Sequence, residues 1–265
     1  MGILNLTPDS FFEGSRAMDS DAVASRVRQL VAEGADIIDV GAYSTRPGAG
    51  DVSVDDELER LERGMAVLRA IDADIPVSVD TFRADIARQA VTNMRCDIVN
   101  DISGTNLDVA MADTVAALQC PYILTHMRGT PADMMEYTDY RDVTNDVLSE
   151  LGDRLQWLRM AGVTDIIVDP GFGFSKTMAQ NYELLHNLER LRLLHCPIMV
   201  GISRKSMITK LLDISADNAL NGTTALNAFA LDRGADLLRV HDVGPCRQTV
   251  SLHTALAHPR QLEQQ

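Results

Sequence analysis

Short β-branched runs that end in polar residues alternate along the chain with longer stretches of helical apolar spacing. The pattern predicts strands over 1–6, 37–40, 77–79, 97–99, 122–125, at the start of 166–177, over 198–202 and over 237–240. Between them, recurrence of apolar residues at i, i+3 and i+4 predicts helices over 21–33, 52–71, 82–93, 107–118, 143–160, 180–194, 207–212 with 219–233, and 245–257. In 52–71, for example, Leu58, Leu61, Met65 and Leu68 share one face. Turns from helix back to strand carry glycine, as in Gly34-Ala35-Asp36, Ala161-Gly162-Val163 and Gly234-Ala235-Asp236. Eight strand–helix units imply a parallel sheet, and in this length they fit a closed (β/α)₈ TIM barrel of the α/β class, spanning 1–265 as a single domain. A doubly wound open sheet is the alternative; no GxGxxG follows the first strand, which counts against a dinucleotide site.

Composition narrows the class. With 46% hydrophobic and 23% charged residues the chain reads as an ordinary globular protein, and it has no apolar run of membrane-spanning length. No basic stretch followed by an apolar core opens the sequence, so a cytoplasmic location is expected. The formal net charge of −14 argues against nonspecific nucleic-acid binding and makes any local cluster of basic residues informative. The cysteines at 96, 120, 196 and 246 lack CxxC spacing, so neither a zinc site nor a disulfide framework is expected.

In a barrel of this type the C-terminal strand ends build the active-site face. Those ends carry Asn5, Thr45 with Arg46, Asp80, Asn100 with Asp101, His126, Asp169, Ser203 with Lys205, and Arg239 with His241. Asn5 alternatively reads as a cap for the following turn, Asp80 and Asp101 as helix N-caps, Asp169 as the start of an Asx turn, His126 as a satisfied loop histidine, and Arg239 and Lys205 as partners of nearby carboxylates rather than of a ligand. The set divides by charge. Asn100, Asp80 and Asp169 suit a ligand edge rich in N–H donors, because a carboxylate accepts an N–C–N unit with two hydrogen bonds. Arg46, Lys205, Arg239 and His241 suit an anion, plausibly phosphate.

The stretches MGILNLTPDSF (1–11), DVGAYSTRPGA (39–49), SVDT (78–81), NDISG (100–104), HMRGTP (126–131), DPGFGFSKT (169–177), GISRKSMI (201–208) and RVHDV (239–243) come in the order found in dihydropteroate synthases, and the chain resembles that family of the bacterial folate pathway over almost its whole length. The resemblance implies condensation of 6-hydroxymethyl-7,8-dihydropterin diphosphate with 4-aminobenzoate to 7,8-dihydropteroate, with release of diphosphate. It implies a pterin ring held by Asp80, Asn100, Asp169 and Lys205, and a diphosphate against Asn5, Arg46, Arg239 and His241. Mg²⁺ would sit nearby with Asn5 as its protein ligand and Asp9 in support. The 4-aminobenzoate would lie near Thr45, Pro47, Phe174, Ser203 and Lys205. Asp80, Lys205, Arg239 and His241 would be the residues at the reacting centre. A sulfonamide-sensitive homodimer is also implied, with its interface on the apolar outer helices near the C-terminus.

Two features depart from the family pattern. The second loop reads GAYSTRP, so Tyr43 stands where a carboxylate is usual, and the first strand begins at Met1, where family members commonly carry a preceding segment over the barrel bottom; either the chain lacks it or the numbering begins after a removed stretch. Two other readings share the pterin contacts. A methyltetrahydrofolate-handling methyltransferase domain has no use for the basic set, and a non-catalytic pterin-binding module has no need to keep it intact.

Overall fold

The structure is a computed structural model that describes residues 1–7, 16–43 and 52–260. Eight parallel strands alternate with helices: β1 (Gly2–Asn5), α1 (Arg16–Ala32), β2 (Ile38–Gly41), α2 (Val54–Ile71), β3 (Val77–Asp80), α3 (Ala84–Met94), β4 (Ile98–Asp101), α4 (Met111–Leu118), β5 (Tyr122–Thr125), α5 (Val143–Met160), β6 (Ile166–Asp169), α6 (Met178–His186), β7 (Met199–Val200), α7 (Ser206–Leu212), α8 (Leu220–Asp232), β8 (Leu237–Leu238) and α9 (Val243–Ala257). Strands β1 to β6 pair in sequence order and β7 pairs with β8. Parallel bridges from Val168 to Ile198 and from Gly2 to Val240 join the two sheets, and Ile3 N–H donates to Val240 O at 2.9 Å, so the barrel closes. The closed barrel, rather than the open sheet, is the architecture.

Each strand faces two solvents. Outward residues such as Val40, Val79, Val99, Leu124, Val168 and Val200 are buried in one core with the inner faces of the helices. Inward residues at the bottom form a separate apolar plug of Met1, Ile98, Ile123 and Met199, with Ile37, Ile167 and Leu237 packed on it. Two residues further along the same strands, and so on the same face, the inward positions become Asp39, Asn100, Thr125, Asp169, Gly201 and Arg239. The alternation thus builds a dry floor and a polar mouth from one set of strands.

Helix starts are capped by side chains. Ser53 accepts from Asp56 N–H, Asp142 accepts from Asn145 N–H, and Thr177 with Gln180 forms a capping box. Boundaries differ from expectation at several elements; the strand expected over 237–240, for example, pairs regularly only at Leu237–Leu238. The helix expected over 180–194 ends at His186 and continues as a 3₁₀ segment, Leu188–Leu194, after Asn187 turns its side chain to Thr144 Oγ1. The helix expected from 107 starts at Met111, because Asp108 accepts the N–H groups of Ala84 and Ala110 instead of joining a helical turn. The strand expected over 198–202 pairs regularly only at Met199–Val200. All four cysteines are free thiols. No helix among the described residues is long and apolar enough to cross a membrane.

Candidate active site at the barrel mouth

The mouth is organised by one guanidinium. Arg239, two residues past the floor residue Leu237, donates from Nε to Asp39 Oδ2 at 2.6 Å and from Nη2 to Asp80 Oδ2 at 2.7 Å. Burial disfavours its charge, but Asp39 and Asp80 outweigh that and raise its pKa. Asp39 has no accessible surface and also accepts from Asn100 Nδ2 at 3.2 Å. That bond fixes which way the Asn100 amide points: its Oδ1 is buried and has no hydrogen-bond partner among the described residues. An orphaned acceptor at the centre of a polar mouth is an unmet demand for a donor.

The carboxylates beside it are also under strain from burial. Asp80 is pushed up to about 7 by burial, with Arg239 pulling down and Asp39 adding to the rise. Burial likewise raises Asp169, opposed by Lys205 and by the Gly171 N–H, which donates to its Oδ1 at 2.8 Å. Gly41 lies against Asp80, and Gly201 against Arg239 and Asp169, so two bare backbone patches leave room beside these groups.

Lys205 extends from the turn after β7. Its Nζ donates to Phe172 O at 2.5 Å and stands 4.7 Å from the centre of the Phe174 ring. Burial lowers its pKa to about 8 despite Asp169. The turn that receives it is shaped by Gly171, whose φ is +72° and whose added Cβ would lie 1.9 Å from His126 O. A left-handed residue meeting a backbone atom at that distance must be glycine. Gly171→Ala is therefore expected to destabilise the protein by more than ~2 kcal/mol, combining left-handed strain with a clash that flexible side chains cannot relieve. Urea unfolding measures it; a loss under ~0.5 kcal/mol, the size of a neutral surface change, would mean the turn can rearrange.

His241 sits beyond Arg239. Ser203 Oγ accepts the His241 N–H at 3.2 Å and lies 3.0 Å from Nδ1. In the tautomer in which the hydroxyl donates to Nδ1, the ring proton sits on Nε2. Burial, then Arg239 and Arg204, depress the ring to about 4. The ring is therefore neutral at neutral pH. Arg26 of α1 holds the His241 carbonyl, and Arg204 is committed to Asp242 through two bonds of 2.9 and 2.6 Å. Asn5 is half-buried at the end of β1, in register with Gly41, which pairs in turn with Asp80.

Asn5, Asp80, Asn100, Asp169, Ser203, Lys205, Arg239 and His241 thus stand on the C-terminal strand ends or just past them, with Phe174 beside Lys205. Thr45, Arg46 and Pro47, and Asp9, lie outside the described residues. Two other strand-end candidates are structural. Asp101 accepts from Ser103 N and Oγ, Thr105 N and the Tyr122 hydroxyl, and His126 is held between Glu150 and Lys176. Three residues emerge that motif reading passed over: Asp39, Lys176, and Thr125, whose buried Oγ1 has no partner among the described residues. Thr125 is in register with Asp169, so counting in twos from the floor residue Ile123 would have found it. Tyr43 packs edge-on to Phe82, with ring centres 5.0 Å apart and Arg83 5.2 Å from its own.

A closed parallel barrel whose mouth combines carboxylates, an orphaned amide acceptor and basic groups defines a (β/α)₈ enzyme for a nitrogen-rich ligand. A family model described as pterin binding enzyme matches residues 1–241. The chain is 42% identical over 92% of its length to a dihydropteroate synthase of Clostridium beijerinckii, covering 88% of that protein. It superposes with a TM-score of 0.89 on the Xanthomonas albilineans dihydropteroate synthase solved with 4-aminobenzoic acid, at 37% identity over 97% of this chain and 92% of that one. For the Yersinia pestis enzyme in complex with a sulfonamide drug the TM-score is 0.88, at 33% identity over 98% of this chain and 93% of that one. The chain belongs to the pterin-binding enzymes and, within them, to the dihydropteroate synthase family.

Proposed function

We propose that the protein condenses 6-hydroxymethyl-7,8-dihydropterin diphosphate with 4-aminobenzoate, giving 7,8-dihydropteroate and diphosphate. The observation that carries this reading is the unpartnered Asn100 Oδ1, flanked in the mouth by Asp80 and Asp169. Three acceptors around one opening suit the N–H-rich edge of a pterin. Lys205 adds a donor for a ring nitrogen or carbonyl.

The diphosphate end belongs on the basic side, with Asn5, Arg46, Arg239 and His241. Arg239 already spends Nε and Nη2 on carboxylates, so it meets the anion with Nη1, while His241, in the tautomer with its proton on Nε2, offers that N–H. These donors stabilise the negative charge that develops on the leaving group. As diphosphate departs, the methylene of the dihydropterin becomes electron-poor, and Asp80 is the carboxylate for the resulting cation. The 4-aminobenzoate amine is nucleophilic without a strong base. It would enter over Phe174, near Thr45, Pro47 and Ser203, with Lys205 as the partner for its carboxylate.

Among the described residues no cluster of three or more His, Cys, Asp or Glu could cage a metal. A Mg²⁺ ion keeps waters and binds through few protein ligands plus substrate phosphates. Asn5 would be the protein ligand, and the ion when bound would neutralise phosphate charge. We further propose a cytoplasmic homodimer joined through the outer faces of α7 to α9, where Leu211, Leu212, Phe229, Leu252 and Leu256 are exposed.

The test is diphosphate release from the dihydropterin diphosphate with Mg²⁺, with and without 4-aminobenzoate. Release that depends on 4-aminobenzoate, with dihydropteroate formed in equal amount, is the expected result. Tight pterin binding without release would mean a non-catalytic pterin-binding module. In the same assay a sulfonamide is expected to raise the KM for 4-aminobenzoate at unchanged kcat; a fall in kcat at constant KM would remove the aromatic acid from the proposed pocket.

A further inference from the structure

Lys176 is the most buried cation of the mouth, at 2% exposure, and nothing in the proposed reaction uses it. Its Nζ reaches His126 Nδ1 at 3.0 Å, Gly171 O at 3.0 Å and Phe174 O at 3.1 Å. An ammonium has three protons, and these three acceptors take all of them; burial lowers the Lys176 pKa to about 7, so the full set of bonds belongs to pH below that value. Two of the acceptors are the first and last carbonyls of the turn 171–174, which the ammonium gathers as a bound cation would. The third belongs to the loop after β5, so the same nitrogen ties two barrel units together.

The rest of the turn is held with similar care. Gly173 N–H donates to Asn181 Oδ1 at 2.7 Å, and Ser175 Oγ accepts from Arg128 N–H at 3.1 Å. Behind His126 the chain of contacts continues outward. Because Nδ1 receives the Lys176 proton, Nε2 carries the ring proton and donates to Glu150 Oε2 at 2.9 Å. Arg128 Nε grips Glu150 Oε1 at 3.1 Å. Burial alone would raise the Glu150 carboxyl, yet these two partners bring it down to about 2, so its charge is dependable. What the turn delivers into the mouth is Phe172 O, which receives Lys205 Nζ, and the Phe174 ring beneath it.

We propose that Lys176, oriented by His126 and Glu150, is a positioning residue for 4-aminobenzoate: it locks the turn 171–174 so that Phe174 and Lys205 meet the aromatic acid. It rests on the functional reading above. The pterin contacts Asp80 and Asn100 lie on strands that are fixed by their own ladders; Asp169 also accepts the Gly171 N–H and Lys205 also reaches the pterin, so the pterin side responds to this lock less than the 4-aminobenzoate side.

The experiment compares Lys176→Met and Glu150→Gln with the parent in steady-state turnover, with pterin affinity read separately by fluorescence titration. Lys176→Met is expected to raise the KM for 4-aminobenzoate about tenfold while pterin affinity stays within about twofold. Glu150 is 41% exposed at its side chain, so Glu150→Gln should fold whatever happens to the buried variant. It is expected to raise the same KM about threefold by weakening His126 as an acceptor. A lower melting temperature with both substrate parameters unchanged would make the lock merely structural and overturn the proposal. An equal loss for both substrates would overturn it too. If Lys176→Met does not fold, an unchanged KM in Glu150→Gln decides against it. Should the parent itself release no diphosphate with 4-aminobenzoate, the functional reading fails first, which is a separate result.

Discussion

Arg239→Ala is expected to abolish turnover and to lower the unfolding free energy by about 3 kcal/mol, the lower end of what breaking a buried ion pair costs. The residue bridges Asp39, which has no accessible surface, and Asp80, whose side chain is 19% exposed. Removing it strands both carboxylates. Asp39 keeps the Asn100 amide as a donor and Asp80 can hydrate, which is why the lower end applies. Arg239→Lys should recover part of the loss, since a single ammonium cannot span two carboxylates as the planar fork does. The cause can be checked by pH. Without the guanidinium, the folded-state pKa of Asp80, already raised to about 7 by burial, rises further above the unfolded value. Such a group leaves stability intact below the unfolded pKa and removes it as pH climbs through the folded pKa. The penalty should therefore be larger at pH 8 than at pH 5 in chemical denaturation. A penalty that is the same at both would trace to lost packing instead.

How much of this was legible beforehand varies from residue to residue. The outward columns of the strands are β-branched and continuous, so their positions and the eight-fold alternation could be read directly. The mouth was legible wherever a polar residue ended an apolar run, as at Asp80, Asn100 and Asp169. Asp39 was not, because it lies one layer deeper, inside a run flanked by Ile38 and Val40, and its partner Arg239 is 200 residues away. Thr125 was overshadowed by the adjacent His126, which points into the wall between β5 and α5. Lys176 stands in the loop stretch DPGFGFSKT with no apolar pattern around it to mark its burial. Its burial depends on Gly171 O, Phe174 O and His126 converging in three dimensions, which no local pattern encodes. Chain ends of elements moved for the same reason: Asp108 is drawn off to cap α3, and Asn187 to Thr144. Tyr43, flagged as a departure, takes up contacts with Phe82 and Arg83 that its spacing in the sequence could not announce.

Lys205→Ala is expected to share the kinetic loss of Arg239→Ala without its loss of stability. The Lys205 ammonium is a contact for both substrates in the proposed site, so kcat/KM should fall by at least about 100-fold, or ~2.7 kcal/mol of transition-state stabilisation. Stability should move by less than ~1 kcal/mol, because removing a buried cation ends its desolvation cost while Asp169 keeps the Gly171 N–H. The pH profile carries the signature. Burial brings the Lys205 ammonium down to about 8, so parent kcat/KM should decline as pH rises through that value and the charge is lost. Folding responds with the other sign. A lysine whose folded pKa is depressed carries its desolvation cost fully below pH 8, and the cost is relieved between there and the unfolded value near 10.4. In Lys205→Ala the alkaline decline should disappear while the residual rate stays flat. An alanine variant within about threefold of the parent, under ~0.7 kcal/mol, would exclude Lys205 from the substrate contacts. A variant that keeps the alkaline decline would assign that ionisation to another group, with Lys176, lowered to about 7 by burial, the next to replace.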